Sequence, residues 1–328
     1  MVLELKTATL VSFDISDMAK PSVMKKYLFA ILLFFITSPL LSQQSADQLF
    51  ERGYNYLTAD RDKAIELLSA CIEKDPYYQQ AFYHRGIAYF KNEDYEKALA
   101  DFNKAQELNP DLSILWMYKG FTYRNMGQID EAISSFSNYI SKNPTDTSAY
   151  SYILRGKMKY ELGDFQGAVA DYDLAIRLRP FEEKYQYYRF TALYADGRYK
   201  DALEAVQRLT EINPDFYGYY FYKGNVFQEL QQYDSAVYMY NIAILKNSRN
   251  ADSYYYRGIA YRNLNRRDLA IEDLSKAISI DPGDPSFYAE RGNIHYESND
   301  MEAACTDWRK ANQMGYYEDF SAFEERCN

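Results

Sequence analysis

The chain has 328 residues, with 47 Asp and Glu against 37 Lys and Arg, a formal net charge of −10. Binding to a nucleic-acid backbone rests on basic side chains neutralising phosphates, so this balance argues against a nucleic-acid partner. Tyrosine occurs 35 times while Gly and Pro number only 14 and 9, which suits long helices packed through large side chains rather than sheets or disorder.

From the N-terminus, residues 1 to 23 read as an upstream extension, with translation expected to begin at Met24. Lys25 and Lys26 precede an apolar run from Tyr27 to Thr37, and Ser38 to Gln44 form a small-residue exit. Residues 24 to 42 thus have the layout of a secretory signal. The run is shorter than the roughly 20 apolar residues that a membrane span needs. The expectation is cleavage near Ser42, a mature chain beginning near Gln43 or Gln44, and a periplasmic or secreted product. The alternative is a protein anchored in the membrane by an uncleaved segment. No cysteine follows the run, which leaves a lipoprotein route unsupported.

Beyond it the chain repeats. Counting from Gly86, the residues Tyr89, Ala98, Phe102, Ala105 and Pro110 recur at the same offsets from Gly120 as Tyr123, Ala132, Phe136, Tyr139 and Pro144. The frame returns at Gly156, Gly224 and Gly258, and less regularly around Phe190 and Gly292. A first unit runs from Gly53 through Ala64, Cys71 and Pro76, with a turn shortened by one residue. The spacing is 34 residues except for a step of 36 between Gly120 and Gly156. Apolar residues fall at helical spacing in two segments per unit, interrupted by loops such as Asn92-Glu93-Asp94, so each unit is a helical hairpin that buries a face only by stacking.

Segments such as AFYHRGIAYFKNEDYEKALADFNKAQELNP and SYYYRGIAYRNLNRRDLAIEDLSKAISIDP resemble the tetratricopeptide repeat (TPR), in which a Gly and an Ala let two antiparallel helices approach. The resemblance covers residues 46 to 314. It implies an all-α fold, a right-handed α-solenoid of about eight helical hairpins, which residues 315 to 328 would close as a C-terminal capping helix. Two departures stand out. Phe190 occupies the place of the small residue at the helix crossing, which predicts a splayed or rotated unit over about 182 to 214. Ser248 stands where a Pro is expected.

A basic residue precedes the crossing position in all eight units: Arg52, Arg85, Lys119, Arg155, Arg189, Lys223, Arg257 and Arg291. A comb of positive charge for an anionic ligand is one reading. The stronger one is structural, because Asp101, Asp171, Asp273 and Asp307 lie 16 residues after Arg85, Arg155, Arg257 and Arg291. The midpoint of each pair falls in the hairpin turn, so the two side chains should meet as ion pairs. Cys305 and Cys327 are likewise centred on residue 316, in a turn before a final helix of about residues 318 to 326, and are expected to form a disulfide. Cys71, in place of a core Ala, should be a buried thiol.

No nucleophile with a base, Gly-rich phosphate loop or HExxH pair occurs, and the surroundings of His84 and His295 do not read as a site. No enzyme, metal or cofactor is implied. In the family the groove is lined by the first helix of each hairpin, one residue after the crossing Gly and three before it. The resemblance therefore implies groove residues Tyr83 and Ile87, Met117 and Phe121, Ile153 and Lys157, Tyr187 and Thr191, Phe221 and Asn225, Tyr255 and Ile259, and Ala289 and Asn293. No Lys precedes a crossing Gly by three residues, so the clamp by which some relatives hold a terminal carboxylate is absent. Tyr187, Phe221 and Tyr255 are expected to form a solvated aromatic stripe. The leading expectation is an envelope or secreted scaffold holding a protein or peptide partner. The alternatives are a glycan-binding repeat protein, or an assembly subunit whose groove is filled by self-association.

Overall fold

In a computed structural model of the protein, residues 44–143, 149–317, 323 and 325–327 are described. The extension and the export signal lie outside them. Every regular element among the described residues is an α-helix, and no described helix is long and apolar enough to cross a membrane.

The chain divides into two compact units at Gln128. The first holds α1 (Ala46–Tyr56), α2 (Arg61–Lys74), α3 (Gln79–Lys91), α4 (Tyr95–Leu108) and α5 (Ile114–Asn125). The second holds α6 (Ile129–Lys142), α7 (Tyr150–Glu161), α8 (Phe165–Leu178), α9 (Glu183–Ala195), α10 (Tyr199–Ile212) and α11 (Tyr217–Glu229). It continues with α12 (Tyr233–Lys246), α13 (Ala251–Asn263), α14 (Arg267–Ile280), α15 (Pro285–Glu297) and α16 (Met301–Gln313). Within each unit consecutive helices pack as hairpins, and each hairpin's second helix packs on the next hairpin's first.

Local chemistry sets the helix ends. Ser45 and Gln48 close a capping box at the start of α1, and the Asp60 and Asp164 carboxylates accept from the backbone amides of Lys63 and Gly167. Pro285 opens α15 at a site that needs no amide. Between the helices of each later hairpin stands one residue of left-handed backbone: Glu93, Gly127, Gly163, Gly197, Gln231, Asn265 and Asn299. The α1–α2 turn has none, and α1 ends three residues after Gly53, whereas α3 runs five beyond Gly86. Shortening the repeat by one residue therefore removes the left-handed step.

The hairpins cross through a buried glycine pressed against a large side chain 16 residues later. A Cβ at Gly86 would stand 2.6 Å from the Phe102 ring, at Gly156 2.6 Å from Tyr172, at Gly224 2.4 Å from Tyr240 and at Gly292 2.6 Å from Trp308. Such contacts leave no room for even a methyl group. At Phe190 the arrangement is inverted, because the residue 16 later is Val206, which is fully buried with Ala202, Ala205 and Leu209. The ring has moved from the second helix to the first, and it packs on Tyr187, Tyr194 and Tyr222. The volume is exchanged across the crossing. The missing Pro at Ser248 changes less: the α12–α13 linker is as long as the α10–α11 and α14–α15 linkers, and Asn250 caps α13.

Near the C-terminus Cys305 and Cys327 are joined, with Cα atoms 5.5 Å apart. The bridge draws Phe323 onto the Trp308 ring at 4.8 Å. The expected helix over 318 to 326 falls mostly outside the described residues. Cys71 is a buried free thiol whose pKa burial pushes up to about 11.

Candidate functional site

The basic residues before the crossings are engaged within the array. Arg85 grips Asp101 with two hydrogen bonds of 2.8 Å, and Arg155 with Asp171, Arg257 with Asp273 and Arg291 with Asp307 repeat the fork at 2.6 to 2.9 Å. All four carboxylates are buried. Burial pushes Asp101 and Asp273 above the usual carboxylate range even with the guanidinium alongside.

Each of these arginines has a second arm that the intra-hairpin pairing did not anticipate. The third nitrogen donates to a second helix of the preceding hairpin: Arg85 to Ser69, Arg155 to Ser137, Arg257 to Asn241 and Arg291 to Ser275. Lys223 reaches Gln207 in the same way, and Arg189, which has Ala205 where an Asp would stand, reaches back to Asp173 at 2.6 Å. The signal was present in the sequence as a polar residue 16 before the basic one, or 18 before it at Arg155. One side chain thus ties three helices. Lys119 is buried, stacked 4.4 Å from the Trp116 ring and bonded to Gln106, while Arg52 meets Gln44. The comb is a set of internal ties.

Tyr187, Phe221 and Tyr255 are half-buried rather than solvated. Each leans on the next hairpin: Tyr187 on Tyr222 at 5.8 Å, Phe221 on Tyr256 at 5.4 Å and Tyr255 on Phe287 at 5.1 Å. In the first unit Tyr83 meets Tyr118 at 5.6 Å in the same register. One edge of each ring therefore serves packing. Asn225 and Asn293 are committed as well, accepting from the Tyr240 hydroxyl at 2.8 Å and the Trp308 indole at 3.1 Å. Ile87, Ile153 and Ala289 are buried, so the structure takes them out of an open groove, whereas Phe121 and Lys157 stay half-exposed.

Two of the concavities among the described residues stand out by their lining. In the first unit a pocket of about 360 Å³ is lined by Phe50, Glu51, Tyr54, Gln79, Gln80, Tyr83, His84 and Leu112. Its walls are the first helices α1 and α3. The surroundings of His84 did not read as a site in the sequence because Phe50 and Tyr54 lie a full repeat away and come together with it only on stacking. In the second unit a cleft of about 1180 Å³ lies over α8, the start of α9 and α10, with Ile176, Phe181 and Ile212 among Arg177, Arg208 and Glu204. It sits beside the inverted crossing, on the second helices.

Stacked helical hairpins that cross through a buried glycine define a helical-repeat protein. Tetratricopeptide repeat models match residues 80–112 and 251–284, and others match 120–183, 153–216 and 187–237, together more than half of the chain. The chain belongs to the tetratricopeptide repeat family, whose members act as protein–protein interaction scaffolds. The C-terminal part of a TPR repeat-containing protein from Cytophaga hutchinsonii shares the fold, with a TM-score of 0.61 over 74% of this chain and 98% of that one at 16% identity. Anaphase-promoting complex subunit 3 of Schizosaccharomyces pombe is 25% identical over 57% of this chain and 28% of its own length. Human tetratricopeptide repeat protein 13 is 30% identical over 37% of this chain and 14% of its own. The chain thus spans under a third of either relative.

Proposed function

We propose that the protein is a non-enzymatic adaptor that holds a segment of a protein partner along the first helices of its hairpins. The observation that carries this reading is the set of half-buried first-helix rings, Tyr187, Phe221 and Tyr255 on successive hairpins of the second unit and Tyr83 in the first. Each ring is held by the next hairpin on one edge and keeps some surface toward solvent. A ring fixed in this way contacts a partner at low entropic cost, which is why anchored aromatics dominate binding surfaces. The internal use of the basic residues supports a partner recognised through apolar and neutral polar contacts rather than through negative charge.

The reading extends to export. Residues 24 to 42 carry the signal layout, and a Cys305–Cys327 bridge suits an oxidising compartment. The experiment is site-specific photocrosslinking in the native host, with the crosslinker at Tyr83, Tyr187, Phe221 or Tyr255 and, as a control, at the exposed Tyr238 of a second helix. One recurring protein adduct from the first-helix sites, recovered from the periplasmic or culture fraction, is the expected result. Adducts from Tyr238 alone would overturn the groove, and recovery only from the cytoplasm would overturn export.

A further inference from the structure

The pocket between α1 and α3 carries information about what enters it. Among the described residues only four buried side-chain nitrogens or oxygens have no hydrogen-bond partner within the protein, and two of them, Gln79 Nε2 and His84 Nδ1, belong to residues lining this one pocket. A buried polar atom left without a partner costs about 1 to 3 kcal/mol, so whatever displaces solvent from this recess must offer hydrogen bonds to both atoms. The His84 ring is held by three others, 4.7 Å from Tyr83, 4.9 Å from Tyr54 and 5.6 Å from Phe50. Burial lowers its pKa to about 4, so at neutral pH it is an uncharged imidazole.

The unmet needs define the occupant. Gln79 Nε2 is a donor and calls for an acceptor. His84 Nδ1 gives or takes one hydrogen bond according to its tautomer. A carboxylate could satisfy Gln79 but would meet no cation, because the lining has no Lys or Arg and carries Glu51 at its rim. An ammonium group suits the rings and Glu51 but leaves the Gln79 donor facing a positive charge. A sugar needs an open ring face, yet Phe50 is only 7% exposed and Tyr83 is packed on Tyr118, which leaves Tyr54 as the open ring. A carboxamide offers a carbonyl and an N–H on one planar group and serves both atoms with either tautomer.

We propose that this pocket is a carboxamide-anchoring site: it takes the side chain of a Gln or Asn from an uncharged stretch of a polypeptide partner, its amide turned toward Gln79 and His84. The site rests on the adaptor reading above and names the chemistry by which one end of the partner is held. The methylene stem lies against Phe50, Tyr54 and Leu112, and the amide fills the polar floor.

The test uses the full chain with 15N-labelled histidine, whose two imidazoles are told apart by a His295→Asn control. The probes are pools of N-acetylated heptapeptide methyl esters with a central Gln, Asn, Glu, Met or Lys, together with chitotetraose. The Gln and Asn pools are expected to move the His84 signals at concentrations at least tenfold below those needed for the Met, Glu and Lys pools, the worth of one buried hydrogen bond. Gln79→Met should erase that preference, and Gln79→Glu provides a second variant without the donor should the first not fold. An equal response to Met, or a preference for Lys, Glu or chitotetraose, overturns the carboxamide assignment. Peptide binding that leaves His84 unmoved overturns the pocket while the adaptor reading stands. Failure of every pool to bind overturns both.

Discussion

The hairpin of α13 and α14 and the hairpin of α9 and α10 stand two apart in the same unit and have helices of equal length, 13 and 14 residues. In the first, Gly258 lies against Leu274 and Arg257 grips Asp273 on the partner helix. In the second, Phe190 lies in the core with Val206, Ala205 replaces the carboxylate, and Arg189 turns back to Asp173 of the preceding hairpin. The difference teaches that the repeat constrains pairs of residues 16 apart rather than single residues. What must be kept is one large side chain facing a smaller one at the crossing and some acceptor within reach of the basic side chain.

The largest effect should come from emptying the inverted crossing. Phe190→Ala removes a ring that is 4% exposed and should cost about 3 to 5 kcal/mol. Phe190→Gly combined with Val206→Tyr restores the arrangement of the Gly224 and Tyr240 pair and should recover most of that loss. Hydrogen exchange of α9 and α10 reads both, since a stacked array opens locally. A double variant no better than Phe190→Ala would show that the neighbours Tyr187 and Tyr222 require the ring on α9, and the idea of a volume pair would fail.

The two ways of holding the basic residue should differ next. Arg257→Met leaves the buried Asp273 carboxylate with no counterion and should cost about 3 kcal/mol, whereas Arg257→Met with Asp273→Leu should cost less than the single change. That Asp273 is pushed upward by burial despite its partner points the same way. Arg189→Met should cost only about 1 kcal/mol, because the Asp173 side chain is 44% exposed and water takes over. Thermal melts of the four proteins would decide it, and a double variant worse than Arg257→Met would return the basic row to a ligand-binding role.

Burial with no charged partner is the third case, and His84 in the other unit supplies it. Its pKa of about 4 lies below the ordinary 6.5, so the fold holds the neutral imidazole and the unfolded chain takes up the proton first. Its contribution is complete above pH 6.5 and is lost as pH falls through about 4. Between pH 7 and 4.5 the first unit should lose roughly 2 kcal/mol from this residue. His84→Phe should remove that part of the pH dependence, as amide exchange of α3 would show. An unchanged slope in the variant would mean that other groups carry it.

The hairpins were legible in the sequence because their signal is local and periodic, and the partners Arg257 and Asp273 could be paired by folding the chain about a turn. The second arms to Ser69, Asn241 and Ser275 leave only a polar residue 16 before the basic one as their trace, since they cross from one hairpin to the next and depend on the stacking register. The state of Tyr187, Phe221 and Tyr255 was out of reach for the same reason. Whether a ring is solvated is decided by Tyr222, Tyr256 and Phe287 on the following hairpin. The His84 pocket combines both difficulties, as its walls come from two repeats and its unpaired atoms have no sequence signature.

The smallest expected effect concerns the turns, where the same comparison applies one residue at a time. Gln231 holds φ 58° at the place where Gly163 and Gly197 hold 80° and 72°. A side chain in the left-handed region crowds its own backbone at a cost of about 1 to 2 kcal/mol, part of which glycine gives back through the greater freedom of the unfolded chain. Gln231→Gly should therefore stabilise the α11–α12 hairpin by less than about 1 kcal/mol. Gly163→Ala should destabilise by about as much, and for the same reason alone, because a Cβ there meets nothing within 4 Å. The two variants, melted beside the parent, should shift in opposite directions. A loss of stability in Gln231→Gly would show that the Gln231 side chain itself holds the turn, and the strain argument would then give way to a contact.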